Sequence, residues 1–128
     1  MLSFSRLAQG ALVLIAVCLA PLTLTLRAQI VVCNEDGNTV TLIDPNTLQI
    51  IGSIVVGSGP SAVALSADGS RAYTSNTNDG TVSVINMTTR TVIATITVGN
   101  DPLSIVITPN GLKVYVANSD DGTVSVIN

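Results

Sequence analysis

The sequence predicts an all-β chain made of one four-stranded antiparallel meander repeated every 42 residues. Three observations predict it. The segment Arg71 to Asn86, RAYTSNTNDGTVSVIN, is matched without a gap by Lys113 to Asn128, KVYVANSDDGTVSVIN. The same offset run backwards puts Asn76 on Asn34, Thr81 on Thr39, Val82 on Val40 and Ile85 on Ile43, and puts Gly99, Pro102 and Gly111 on Gly57, Pro60 and Gly69. Runs of Val, Ile and Thr recur at about 8–12 residue spacing with Gly, Asp, Asn or Pro between them, the pattern of short strands joined by tight turns. No stretch after Ala28 carries helical spacing.

The elements follow in order. Residues 1–28 differ from the rest. Met1 to Arg6 is a short start with one positive charge, Leu7 to Leu26 is mostly apolar, and Ala28 closes the stretch before the text turns polar. That layout predicts a signal peptide at 1–28 and repeats over 29–128. Cleavage after Ala20 and retention as an anchor are the competing readings, since about 20 apolar residues can span a bilayer; Pro21 and the small residue at the end favour cleavage. A lipid-modified Cys18 fits poorly, because Val17 precedes it.

In the middle copy the first run is Ser61 to Ser66. Ala67-Asp68-Gly69 makes a hairpin turn with Gly where φ is positive. Arg71 to Asn76 is the second run, Asn78-Asp79-Gly80 a second turn, and Thr81 to Asn86 the third run. Met87 to Arg90 turns again, and Thr91 to Val98 is the fourth run, with Val92, Ala94, Ile96 and Val98 expected on one face. The first copy is expected to lack its first strand and the last copy its fourth. Runs such as Ala62 to Leu65 and Ile105 to Ile107 are apolar throughout, so both sheet faces expect cover. A four-stranded unit of about 40–45 residues with two covered faces is the period of a β-propeller blade. A β-solenoid is the rival, but its coils are shorter and lack three hairpin turns per unit. The repeat region holds about 2.4 such units, a partial ring. Uncovered blade faces and strand edges invite self-association or protein partners.

Composition narrows function. The chain has 128 residues, 47% hydrophobic, only 10% charged and 2% aromatic, with no His and no Trp. Without His there is no classical serine triad, and the commonest general base and metal ligand are missing. Few aromatics weaken any stacking site for sugars or bases. After Ala28 three cations, Arg71, Arg90 and Lys113, stand against eight carboxylates, a net charge of −5. That sign disfavours nucleic acid and anionic membrane surfaces, leaving membrane attachment only to an uncleaved N-terminal segment. Cys33 is the one cysteine after Ala28, so it has no intramolecular partner there.

The segments Val114-Tyr-Val-Ala-Asn118, Asp121-Gly-Thr-Val-Ser-Val-Ile-Asn128 and Pro102 to Gly111 resemble YVTN-type β-propeller repeats. Tyr115 to Asn118 stands at the family's tetrapeptide, Tyr73 to Asn76 follows it in copy two, and Val31 to Asn34 departs at the Tyr. The resemblance implies an exported or surface-associated bacterial or archaeal protein and a closed ring, often of seven blades. Some relatives of such rings are lactonases and others quinoprotein-like subunits. A seven-blade ring needs about 300 residues at this period, so the chain reads as a short or truncated member. In register, Cys33 falls on Ser75 and Ala117, which marks a position that wants a small side chain.

Chemistry-bearing residues are few. Asp79-Gly80 and Asp120-Asp121-Gly122 lack the spacing of a calcium loop and read as turns. Asp101-Pro102 sits at an inter-blade loop where copy one has Gly59, and Asn86-Met87-Thr88 fits a glycosylation sequon. The expected channel strands, Ser61 to Ser66 and Leu103 to Thr108, offer only Ser and Thr as polar groups. No catalytic, cofactor-binding or metal-binding residue is expected. The expected function is an exported, non-catalytic binding or structural scaffold at the cell envelope or outside the cell. The alternative is part of a lactonase-like or quinoprotein-like propeller enzyme.

Overall fold

The structure, a computed structural model, describes residues 15–17 and 29–128. The repeat sets the architecture. A first sheet takes β1 (Ile15–Val17), β2 (Ile30–Asn34), β3 (Thr39–Ile43) and β4 (Ile50–Val55). A second takes β5 (Pro60–Leu65), β6 (Arg71–Asn76), β7 (Thr81–Asn86) and β8 (Thr91–Thr97), and a third takes β9 (Pro102–Ile107), β10 (Val114–Asn118) and β11 (Thr123–Ile127). Each is an antiparallel meander in which sequence neighbours pair.

The turns explain the strand boundaries. In the β6–β7 and β10–β11 turns, Gly80 and Gly122 hold φ +61°, and in the β2–β3 turn Asn38 takes the same place at φ +51°, the left-handed region that Gly enters freely and Asn tolerates. The β3–β4 turn closes on the Asp44 side chain, whose Oδ1 accepts the amides of Asn46 and Thr47 at 2.8 and 3.1 Å. The β7–β8 turn repeats it with Asn86 Oδ1 accepting from Thr88 and Thr89 at 2.9 and 3.0 Å. These side-chain caps are the local chemistry that favours Asp and Asn in turns.

Packing stacks the sheets face to face. Val31, Cys33, Val40, Leu42 and Ile54 of the first sheet meet Val63, Ala72, Ile85 and Met87 of the second. The other face of the second sheet sets Ala62 and Val82 against Ile105, Val114 and Val116 of the third. Each fully buried Val, Leu or Ile contributes about 1.5–3 kcal/mol. Inter-sheet contacts concentrate near β2, β5, β6 and β9 and thin out between β4 and β8. The sheets therefore converge at their first strands and splay at their fourth, as propeller blades do. The molecule is a partial propeller.

Three expectations meet a difference. The first copy is not short of its first strand: Ile15, Ala16 and Val17 pair with Val32, Val31 and Ile30. The remainder of the 1–28 segment, with its cleavage or anchor readings, lies outside the described residues. Val92 does not share a face with Ala94, Ile96 and Val98. Ile85 pairs with Val92 while Val84 pairs with Ala94, so Ile93 is a bulge. One extra residue reverses the alternation, sending Val92 to the first inter-sheet core and Val98 to the second. The first strands of copies two and three also begin one residue earlier than their sequence runs suggest, at Pro60 and Pro102.

Candidate functional site

A meander sends its turns alternately to two ends of the blade. One end, the linker end, carries the β2–β3, β6–β7 and β10–β11 turns and the two inter-blade linkers. The other, the hairpin end, carries the β3–β4, β5–β6, β7–β8 and β9–β10 turns. Between them run the first strands, which a complete ring would turn toward its channel.

The first strands are chemically quiet. Ser61 is buried, its Oγ lying 3.0 Å from Ser75 Oγ and donating to the Pro102 carbonyl at 3.1 Å. Ser75 Oγ in turn accepts the Ala62 amide at 3.2 Å. The Ser61 hydroxyl thus ties the second blade to the third, and Ser75 braces it within its own sheet. The same position in the preceding copy is Cys33, whose Sγ lies 3.4 Å from Thr74 Oγ1. Burial pushes the Cys33 thiol above its ordinary pKa, against a smaller opposing pull from Thr74. Cys33 and Ser75 are both buried on the face that meets the next blade, which accounts for small side chains at these positions.

The linker end is a repeated lock. Asn34, Asn76 and Asn118 end the second strands, and each Nδ2 donates to two hydroxyls on the third: Thr39 and Thr41, Thr81 and Ser83, Thr123 and Ser125, at 2.7–3.0 Å. The Oδ1 atoms of Asn76 and Asn118 are buried with no protein partner. Each amide presses on a glycine of the incoming linker. A Cβ on Gly57 would lie 2.5 Å from Asn76 Nδ2, and one on Gly99 would lie 2.6 Å from Asn118 Nδ2. Asp79 Oδ2 then accepts the Ser58 amide at 2.7 Å. Asp121 repeats this with the Asn100 amide at 2.7 Å and adds Asn100 Nδ2 at 2.9 Å, which together lower its carboxyl pKa. Asp79 and Asp121 thus act as turn and linker ties. Asp101, the inter-blade carboxylate singled out in the sequence, holds φ +50° where Gly59 holds +67°, and its carbonyl accepts the Ser119 amide at 2.8 Å. Asn86 of the sequon caps the β7–β8 turn at the opposite end. Among the described residues, no three His, Cys, Asp or Glu side chains are grouped to hold a metal ion, and no helix is long and apolar enough to cross a membrane.

The hairpin end holds the feature that the sequence reading missed. Between the β5–β6 and β9–β10 turns lies an open cleft of about 390 Å³, walled by Asp68, Arg71 and Tyr73 from one blade and Ile107, Pro109 and Asn110 from the next. Asp68 Oδ1 accepts Ser66 Oγ at 2.6 Å and the Ser70 amide at 3.0 Å, and Ser70 Oγ reaches both oxygens at 2.9 Å. The Ser66 hydroxyl, then the Ser70 amide and hydroxyl, lower the Asp68 pKa to about 2. No local motif announces the cleft, because its walls lie about forty residues apart and meet only through the blade stack.

Comparisons place this geometry. The model for the family described as lactonase, 7-bladed beta-propeller, matches residues 22–128. No curated protein matches the chain. Among solved structures, the chain is similar to hydrazine synthase of Kuenenia stuttgartiensis, with 26% identity and TM-score 0.79 over 100% of this chain and 36% of that one. It is similar to a candidate 6-phosphogluconolactonase of Bacteroides fragilis, with 25% identity and TM-score 0.67 over 77% of this chain and 31% of that one. It shares its fold with the dihydro-heme d1 dehydrogenase NirN at 21% identity and TM-score 0.69, over 78% of this chain and 22% of that one. The chain therefore spans about a third or less of the length of these solved relatives. Blade stacking, repeat period and family match agree, and the chain belongs to the lactonase, seven-bladed β-propeller family.

Proposed function

We propose that these blades act as an exported, non-catalytic scaffold of the YVTN type, binding partners or ligands at the cell envelope or outside the cell. The observation that carries this reading is the chemistry of the first strands. Ser61 is spent on Ser75 of its own blade and on the Pro102 carbonyl of the next, Ser66 and Thr108 are spent on their own hairpins, and the chain has no His to activate a nucleophile or hold a metal. The carboxylates Asp79 and Asp121 support the same reading, because both are engaged in holding linkers. Uncovered sheet faces, with Val106, Tyr115, Val124 and Val126 exposed on the third sheet, support protein partners or self-association.

A second reading, blades of a lactonase-like ring, is favoured by the family match and by the Bacteroides fragilis neighbour. One experiment separates the two. The purified chain is assayed against a panel of sugar and acyl lactones. The scaffold reading expects hydrolysis at the buffer rate; turnover that co-purifies with the chain through successive columns overturns it. Export is tested by sequencing the N-terminus of the chain released from producing cells. A start at Gln29 or at Pro21 supports it, either of which leaves the mature first blade without β1, and a chain retained inside with Met1 intact defeats it.

A further inference from the structure

We propose that the hairpin-end cleft between the second and third blades binds a small zwitterion, an amino acid with an apolar side chain. The site lies at the hairpin end and touches the first strands only at Ile107, the last residue of β9, so it stands whether or not the ring hydrolyses a lactone. Its volume of about 390 Å³ falls in the range of small-ligand sites, about 300–1,000 Å³.

The argument is complementarity. Among the described residues, no hydrogen bond or ion pair engages the Arg71 guanidinium, the Tyr73 hydroxyl or the Asn110 Nδ2; the contacts of Arg71 run through its backbone, and those of Asn110 through its Oδ1. All three unspent groups are donors, and the guanidinium is the side chain best shaped to take a carboxylate. Asp68 supplies the opposite charge. Its Oδ2 receives only the shared Ser70 hydroxyl, which leaves acceptor capacity for an ammonium group. Asp68 and Arg71 both wall the cleft without forming an ion pair with each other, so each charge is left for a ligand. A simple anion meets repulsion from Asp68 and a simple cation meets repulsion from Arg71. A ligand bearing both charges meets neither. Tyr73, Ile107 and Pro109 complete the wall with apolar surface, which suits an aliphatic side chain.

Leucine is the probe, with 4-methylpentanoate lacking its ammonium and 3-methylbutylamine lacking its carboxylate. Backbone amide shifts are followed by NMR as each is added to the full chain. Leucine is expected to shift the amides of Ser70, Arg71 and Gly111 saturably, and both truncated analogues to bind at least tenfold more weakly. R71Q is expected to weaken leucine at least tenfold while leaving 3-methylbutylamine unchanged, and D68N to weaken leucine while leaving 4-methylpentanoate unchanged or improved. D68N keeps the hairpin, because Asn110 makes the same turn bonds in the sister hairpin, from Thr108 Oγ1 at 2.6 Å and the Leu112 amide at 3.1 Å. Unchanged circular dichroism checks each variant. The proposal is overturned if leucine gives no saturable shift, if the analogues bind as well as leucine, or if R71Q leaves leucine binding intact.

Discussion

Single residues carry several of the stabilising devices. Leu48 is one that works against the fold: it holds φ +57° and is 48% exposed. A bulky residue in the left-handed region costs about 1–2 kcal/mol, and Asn enters it far more readily. Leu48→Asn is therefore expected to stabilise the chain by about 0.5–1 kcal/mol, read as a higher urea midpoint at unchanged slope. Cys33 works for the fold. Its buried, neutral thiol is expected to resist a thiol reagent in the native state and to react at once in denaturant. Because its pKa is raised in the folded chain, its contribution is present below the unfolded thiol pKa and fades as pH climbs through the folded one. Asp68 has the opposite sign. Its carboxyl titrates at about 2 in the fold against about 3.9 in an unfolded chain, so its contribution is complete above about pH 5 and lost as pH falls from about 4 toward 2. Melting temperatures across that window should fall less steeply in D68N than in the parent. Because the carboxylate is almost fully exposed, the difference is small.

At the scale of elements, the joint between blades depends on glycines that admit an asparagine. Gly57 and Gly99 lie under the amides of Asn76 and Asn118, where a Cβ has no room. Gly57→Ala drives a methyl into a buried amide that already holds Thr81 and Ser83, and overpacking of this kind costs about 1–3 kcal/mol. Gly111→Ala meets no atom within 4 Å and faces only its positive φ. Urea unfolding of the two variants should separate steric clash from backbone strain, with Gly57→Ala the more damaging. Equal losses would mean that the lock adds nothing. These elements also show what a sequence discloses. The turns were legible because Asp-Gly and Asn-Gly chemistry is local. The blade period was legible because Thr81 to Asn86 recurs unchanged at Thr123 to Asn128. The bulge at Ile93 was not, since an apolar residue among the threonines of Thr91 to Val98 also fits a regular strand covered on both faces, and only pairing with β7 reveals the extra residue. The Asn76 and Asn118 locks were hidden for a similar reason, because each joins a strand end to a linker from the preceding blade. The cleft needed two hairpins brought together by the stack.

The whole molecule is electrically polarised along its strands. Six of its eight carboxylates, Glu35, Asp36, Asp79, Asp101, Asp120 and Asp121, lie in the turns and linkers of the linker end, and no Lys or Arg after Ala28 joins them. Arg71, Arg90 and Lys113 all lie at the hairpin end with Asp44 and Asp68. The polarity follows from the repeat, because a charge placed in one β2–β3-type turn is copied to the same end in every blade. Like charges crowded at one end repel in the folded state and separate on unfolding. Salt shortens the range of that repulsion, from about 30 Å at 0.01 M to about 8 Å at 0.15 M. The melting temperature is therefore expected to rise by a few degrees over that interval. Asp120→Asn removes one charge that has no linker to hold, so it should raise the low-salt melting temperature and flatten its salt dependence. Asp121→Asn removes an equal charge, but it also gives up the carboxylate that accepts the Asn100 amide. The gain from relieved repulsion is then offset by a weakened linker tie, and its low-salt melting temperature should stay below that of Asp120→Asn. If the two variants melt alike, repulsion alone governs this end and the carboxylate–linker bonds contribute nothing to holding the blades together.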